Sequence, residues 1–195
     1  LRNALVSRAY DVVFDLQNNG RMKAYRAMLR GHPAWYGHKN RQERKMRARD
    51  RHRLFLERAG IADVVRDDLS AIKPNQDVSS LGIMTPYILF VPGCSPQHPE
   101  KRWPAKFYAK LAQLAAQKGY QPVILGTSAE EREAKHIEDS CEKALNLVGK
   151  TSLLDLPELA RGAAGSVGND TGPMHVIGPT GCPSLVLFSA LSDPD

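Results

Sequence analysis

Apolar residues recur along this chain in short blocks separated by amphipathic stretches, most regularly between residues 87 and 189. Tyr87-Ile88-Leu89-Phe90-Val91 is a continuous apolar run that breaks at Pro92-Gly93, as expected of a strand buried on both faces. A helix is predicted from about Pro104, with Phe107, Leu111, Leu114 and Ala115 at helical spacing on its apolar face. Gly119 closes that helix, and Pro122-Val123-Ile124-Leu125 forms the next strand. Gly126-Thr127-Ser128 then leads into a charged amphipathic helix from Ala129 to about Cys141. A short strand follows over about Leu145 to Val148, and Ser152 with Asp155 resembles a capping box for a helix ending at Arg161. Ser166-Val167 and Ser184 to Phe188 supply the last two strands. Strands alternating with helices in this way predict a doubly wound parallel α/β sheet.

The pattern is weaker over the first 80 residues. Tyr10 to Leu16 reads as a strand, Arg21 to Leu29 as a helix, and a further helix is expected around Arg53 to Ala59. Leu1 to Ala9 has the pattern of a helix tail, and both chain ends are expected to be cut from a longer protein. Residues 70–86, with Lys73-Pro74-Asn75 and Met84-Thr85-Pro86, have low apolar density and are expected to link a domain over 1–69 to one over 87–195.

Composition narrows the class. Hydrophobic residues make up 42% and charged residues 25% of the 195 positions, an ordinary globular balance with ample core. No apolar run approaches the roughly 20 residues of a membrane span, and no signal-peptide pattern opens the chain. Cys94, Cys141 and Cys182 form no Cys-x-x-Cys pair and are odd in number, which favours reduced thiols in a cytoplasmic protein.

Charge is unevenly distributed. Residues 1–80 hold 17 Lys and Arg against 9 Asp and Glu, a net +8, although the whole chain carries only +6. Most of the excess lies between Lys39 and Arg53, where Arg41, Arg44, Lys45, Arg47, Arg49 and Arg51 face only Glu43 and Asp50. Such a segment suits nucleic acid, an anionic membrane or a phosphorylated substrate, or it forms a solvated face.

The most distinctive stretch is Gly168-Asn169-Asp170-Thr171-Gly172-Pro173-Met174-His175, between the apolar run ending at Val167 and the run Leu185 to Phe188. Asp170 and Thr171 are N-cap candidates, and Pro173 suits the first helical position, where a missing N–H is harmless. Gly172 leaves the amides of the helix start uncovered. A turn of this kind at the carboxyl end of a parallel strand is where open α/β sheets bind phosphorylated ligands, although a ligand-free capped helix has the same pattern. Two further loops leave strand ends. One carries Gly93-Cys94-Ser95 and then Lys101-Arg102-Trp103-Pro104; the other runs from Gly126 to Glu131, with Glu130 and Glu131 in a first helical turn.

Together, Lys101-Arg102-Trp103-Pro104, Gly126 with Glu130, and the run from Gly168 to His175 resemble glycosyltransferase family 9, the bacterial heptosyltransferases of the lipopolysaccharide inner core. Tyr10-Asp11-Val12-Val13-Phe14-Asp15-Leu16-Gln17 also resembles a strand segment of that family's amino-terminal domain. The resemblance covers nearly the whole chain. It implies a GT-B fold, two Rossmann-like domains with parallel sheets, of which the amino-terminal one is incomplete here. It further implies an inverting, metal-independent transfer of heptose, or a related sugar, from an ADP-sugar to a lipopolysaccharide core or lipid A acceptor. No cofactor beyond the donor substrate is implied. By this resemblance Ser95, Lys101, Glu130, Asp170, Thr171, Gly172 and His175 bind the donor. Lys101 meets the diphosphate, Glu130 the ribose, Thr171 and Gly172 the phosphates, and Asp170 the sugar hydroxyls, with His175 beside them. The catalytic base is expected upstream of Leu1.

The implied setting is cytoplasmic, at the inner face of the inner membrane, with the basic segment toward anionic lipid and no nucleic-acid partner. Asp193-Pro194-Asp195 has the Asp-x-Asp spacing of metal-using glycosyltransferases but sits in a terminal turn, and no metal site is expected. Two alternatives stay open: another nucleotide-sugar enzyme on the same fold, such as an epimerase, and a nucleic-acid-binding module built on residues 39–53.

Overall fold

A computed structural model describes residues 9–17, 19–29, 32–62, 69–95 and 97–189. The expected helix tail over Leu1 to Ala9 (save Ala9 itself) and the Asp193-Pro194-Asp195 turn lie outside the described residues. The chain divides into two units, one over residues 1–66 and one over 67–194.

In the first unit, strands β1 (Val12–Phe14) and β2 (Ala34–Tyr36) pair in parallel, with Val12 opposite Ala34 and Phe14 opposite Tyr36. The first strand is shorter than the apolar run suggests. Helix α1 (Gly20–Met28) connects the two, and the Asn19 side chain caps it by accepting from the Met22 amide. The basic segment forms α2 (Arg41–Lys45) and α3 (Ala48–Arg58), so the second of these starts several residues before its expected place. Asn40 caps α2, and Glu43 reaches back to accept from the Lys39 amide. Arg58 closes bidentately on Glu43 at 2.7 and 3.0 Å, which holds that carboxyl down to about 2; the Lys39 amide adds to the effect. Phe55 of α3 is fully buried, whereas Arg41, Arg44, Lys45, Arg47, Arg49 and Arg53 are exposed.

The second unit contains strands β3 (Tyr87–Val91), β4 (Gln121–Ile124), β5 (Leu145–Asn146), β6 (Gly165–Asn169) and β7 (Ser184–Leu187). They form one wholly parallel sheet in the order β5-β4-β3-β6-β7. Chain direction across the sheet therefore reverses between β3 and β6. Helices α4 (Ala105–Gln117) and α5 (Glu131–Ser140) pack on one face; α6 (Leu156–Gly162) and α7 (Gly172–Ile177) pack on the other. Alternation along β3 feeds both cores, with Leu89 and Val91 in one and Phe90 in the other.

Two expectations need correction. The inward face of α4 is Tyr108, Ala109, Ala112 and Ala115, whereas Phe107 is 37% and Leu114 57% exposed. Small residues let the helix sit close to the sheet, and Phe107 instead stacks on Trp103 with ring centroids 5.4 Å apart. Residues 70–86, read as a linker, belong to the second unit and are tied to it by side-chain bonds. The Asn75 amide donates to Asp155 at 2.6 Å, Gln76 donates to the Lys150 carbonyl at 2.7 Å, and the Met84 amide donates to Gln121 at 2.6 Å. Low apolar density was misleading there because polar side chains do the anchoring.

Candidate active site

The carboxyl ends of β3, β4, β5 and β6 open onto a cleft of about 350 Å³. In open α/β sheets the crevice beside the reversal of strand order is the usual ligand site, because loops on either side of it diverge. Here the loop after β3 brings Gly93, Cys94 and Ser95 to the cleft, the loop after β4 brings Thr127 and Glu130, and the loop after β6 brings Thr171. Val91, Leu125, Leu153 and Leu156 supply apolar wall, suited to the flat face of a ring.

Glu130 is buried and partly committed. It completes a capping box in which its Oε2 accepts from the Thr127 amide at 2.9 Å and the Thr127 hydroxyl at 2.8 Å. The helix expected from Ala129 accordingly begins as a 3-10 turn, Ser128–Glu130. The other oxygen, Oε1, lies 3.9 Å from the Arg102 guanidinium and is free of closer partners among the described residues. Arg102 also pairs with Glu133. Burial opposes its charge, but bonds to Cys94 and Glu133 outweigh that, and the guanidinium is held more firmly protonated than usual.

Beside the cleft, Lys101 Nζ donates to Asp170 Oδ2 at 2.7 Å, and His175 Nε2 lies 3.6 Å from Asp170 Oδ1. The N-cap of α7 is Thr171 rather than Asp170, and its side chain makes no capping bond. Helix α7 starts at Gly172, which puts Pro173 second, and Pro179 falls in the 3-10 turn that ends the helix, as its ring requires. A Cβ on Gly172 would meet nothing within 4 Å, so that glycine keeps the surface over the helix start open rather than relieving a clash. Of the seven residues expected here, Ser95, Glu130 and Thr171 line the cleft; Lys101, Asp170 and His175 form the adjoining charged cluster; and Gly172, the first residue of α7, follows Thr171 without lining the cleft itself.

Asn169 has no role in the sequence reading, yet it is completely buried at the end of β6 and uses its whole amide. Its Oδ1 accepts from the Trp103 amide at 3.0 Å and the Tyr108 hydroxyl at 3.1 Å. Its Nδ2 donates to the carbonyls of Pro92 at 2.8 Å and Gly93 at 3.1 Å. Burial pushes the Tyr108 phenol up, so it stays a donor to this network. The only signal available beforehand was its place in the Gly168 to His175 run, next to the strand expected at Ser166-Val167.

A family model for glycosyltransferase family 9 (heptosyltransferase) matches residues 1–194. The chain belongs to glycosyltransferase family 9. It is 34% identical over 112 residues to lipooligosaccharide heptosyltransferase 2 of Haemophilus influenzae, covering 55% of this chain and 32% of that protein. To lipopolysaccharide heptosyltransferase 2 of Escherichia coli it is 33% identical over 121 residues, covering 60% and 34%. These matches span only about a third of each relative's length. Among solved structures, a family 9 glycosyltransferase from Veillonella parvula superposes with a TM-score of 0.70 at 24% identity, over 95% of this chain and 59% of that one. The E. coli heptosyltransferase WaaC with ADP-2-deoxy-2-fluoro heptose superposes equally well at 20% identity, over 100% and 66%. The fold is the GT-B type of these family 9 structures.

Proposed function

We propose that the second unit of this family 9 member binds an ADP-sugar, and that the chain serves heptose transfer to a lipopolysaccharide core acceptor. The observation that carries this reading is an apolar cleft at the point of strand-order reversal that adjoins the Lys101–Asp170 cluster through Thr171. The nucleoside lies along Val91, Leu125 and Leu153, and the uncommitted Glu130 Oε1 accepts from a ribose hydroxyl. The diphosphate then runs toward Thr171, Gly172 and Lys101. Asp170 accepts from hydroxyls of the sugar, and its charge beside the diphosphate is balanced by Lys101.

In the reaction, an acceptor hydroxyl attacks the anomeric carbon opposite the bond to ADP, the carbon–oxygen bond to the diphosphate breaks, and configuration inverts. Charge builds on the departing diphosphate. Lys101 and backbone amides face that charge already oriented, the arrangement in which electrostatic stabilisation acts most strongly. The protein's own positive groups thus do the work a divalent ion does elsewhere. The relatives named for heptosyl transfer, and the neighbour bound to an ADP-sugar analogue, support the choice of donor. The exposed cations of α2 and α3 support contact with an anionic membrane surface, where such an acceptor resides.

Calorimetry tests the donor reading. ADP should bind at one site, more tightly than UDP, and addition of EDTA should leave its affinity unchanged. Failure to bind ADP, or binding only with added magnesium, overturns it.

A further inference from the structure

We infer that Asn169 is a positioning residue that turns two consecutive peptide groups so that the Gly93 and Cys94 amides face the donor cleft as an anion cradle. The inference rests on the donor reading above and assigns its phosphate contacts to backbone that neither the motif nor charge identifies. Asn169 Nδ2 draws the carbonyls of Pro92 and Gly93 toward the sheet interior. Across a trans peptide the C=O and the following N–H point in opposite directions. The one cis peptide among the described residues is Thr85–Pro86, so both of these peptides are trans. Fixing the Pro92 carbonyl inward therefore fixes the Gly93 N–H outward, and fixing the Gly93 carbonyl does the same for Cys94.

Outward here means into the cleft, because Gly93, Cys94 and Ser95 line it. Neither amide has an acceptor among the hydrogen bonds of the described residues, although both residues are buried. Buried amides are normally paired, so two adjacent ones facing a cavity point to a ligand acceptor. Successive N–H groups aimed at one concavity form an anion site without any side-chain charge. Asparagine suits the task because it supplies two donors to the carbonyls and two acceptor positions for Trp103 and Tyr108. Holding Trp103 also anchors the segment that carries Lys101. One buried side chain thereby sets both the neutral and the charged contacts to the diphosphate.

The test compares ADP with adenosine, which lacks phosphate. In Asn169→Leu, of similar size and uncharged, ADP affinity should fall about tenfold or more, as expected for losing hydrogen bonds to a charged group, while adenosine affinity stays within about twofold. Equal losses for both ligands, or no loss for either, would make Asn169 structural and overturn this inference alone. Should that variant fail to fold, the parent protein decides by amide NMR. The Gly93 and Cys94 resonances should shift on titration with ADP and stay still with adenosine; the same response to both, or none, overturns the inference. A parent chain that binds no ADP overturns the donor reading, and this inference with it.

Discussion

Lys101 and Asp170, 69 residues apart in sequence, meet at 2.7 Å beside the cleft, with less than a quarter of either side chain exposed. The ammonium that the proposed function assigns to the diphosphate is thus held by a carboxylate. Lys101→Ala should weaken ADP binding about tenfold or more, since a hydrogen bond to a charged group contributes about 1.5–3 kcal/mol. Asp170→Asn should leave ADP affinity unchanged or raise it, because Lys101 is released and a negative charge removed. It should lower affinity for the intact ADP-sugar. Calorimetry on both variants and the double variant separates these effects; equal weakening of ADP and ADP-sugar by Asp170→Asn would mean that Asp170 only organises the loop.

Gly93→Ala should impair both the cleft and the fold. A Cβ there would lie 2.8 Å from Glu130 Cγ and Cδ and 3.1 Å from its Oε1. The carboxylate must move, and with it the oxygen assigned to the ribose. We expect about tenfold weaker binding of both adenosine and ADP, with a stability loss of about 1–3 kcal/mol from overpacking. Unchanged adenosine affinity would argue against the Glu130 assignment.

Asp155 is fully buried and accepts from the Ser152 amide and hydroxyl, the Asn75 amide and Gln76. Burial alone would raise its pKa; these bonds outweigh it and lower the value below the ordinary range. With the folded value depressed, the stabilisation is complete above the unfolded pKa of about 3.9 and is lost as pH falls through the folded value. Asp155→Ala should cost about 3 kcal/mol at neutral pH and flatten the acid limb of the stability profile. Urea midpoints between pH 7 and pH 3 provide the check, and parallel profiles for parent and variant would refute it.

For the basic surface, replacing Arg44, Lys45 and Arg49 with Gln should weaken binding to vesicles containing anionic lipid by about 1 kcal/mol per residue at low salt. ADP affinity should not change. Undiminished vesicle binding would identify these cations as a solvated face.

Much of the second unit was legible because buried parallel strands leave continuous apolar runs: Tyr87–Val91 was read residue for residue. The inward face of α4 was legible only in part: Ala115 is buried and Leu111 packs against the core, but Phe107 and Leu114 are exposed. Phe107 and Leu114 outrank alanine in hydrophobicity, but close approach to the sheet selects Ala109, Ala112 and Ala115. Among the site residues, Lys101, Asp170 and Thr171 stood out through motif and charge. Asn169 did not, since its role depends on carbonyls 76 and 77 positions away. For Glu130 the spacing fits both a helix cap and the proposed ribose contact; the structure shows the cap.

The strand order also bears on how the molecule is assembled. Neighbours β3 and β4 are joined by a single helix, so they can pair early through local chain closure. By contrast, β3 and β6 meet only after α4, β4, α5, β5 and α6 have been traversed, and long loop closure slows such pairings. The cleft straddles this late seam. A chain leaving the ribosome therefore gains its apolar half-sheet before the cleft exists, and formation of the cleft reports completion of folding rather than its onset.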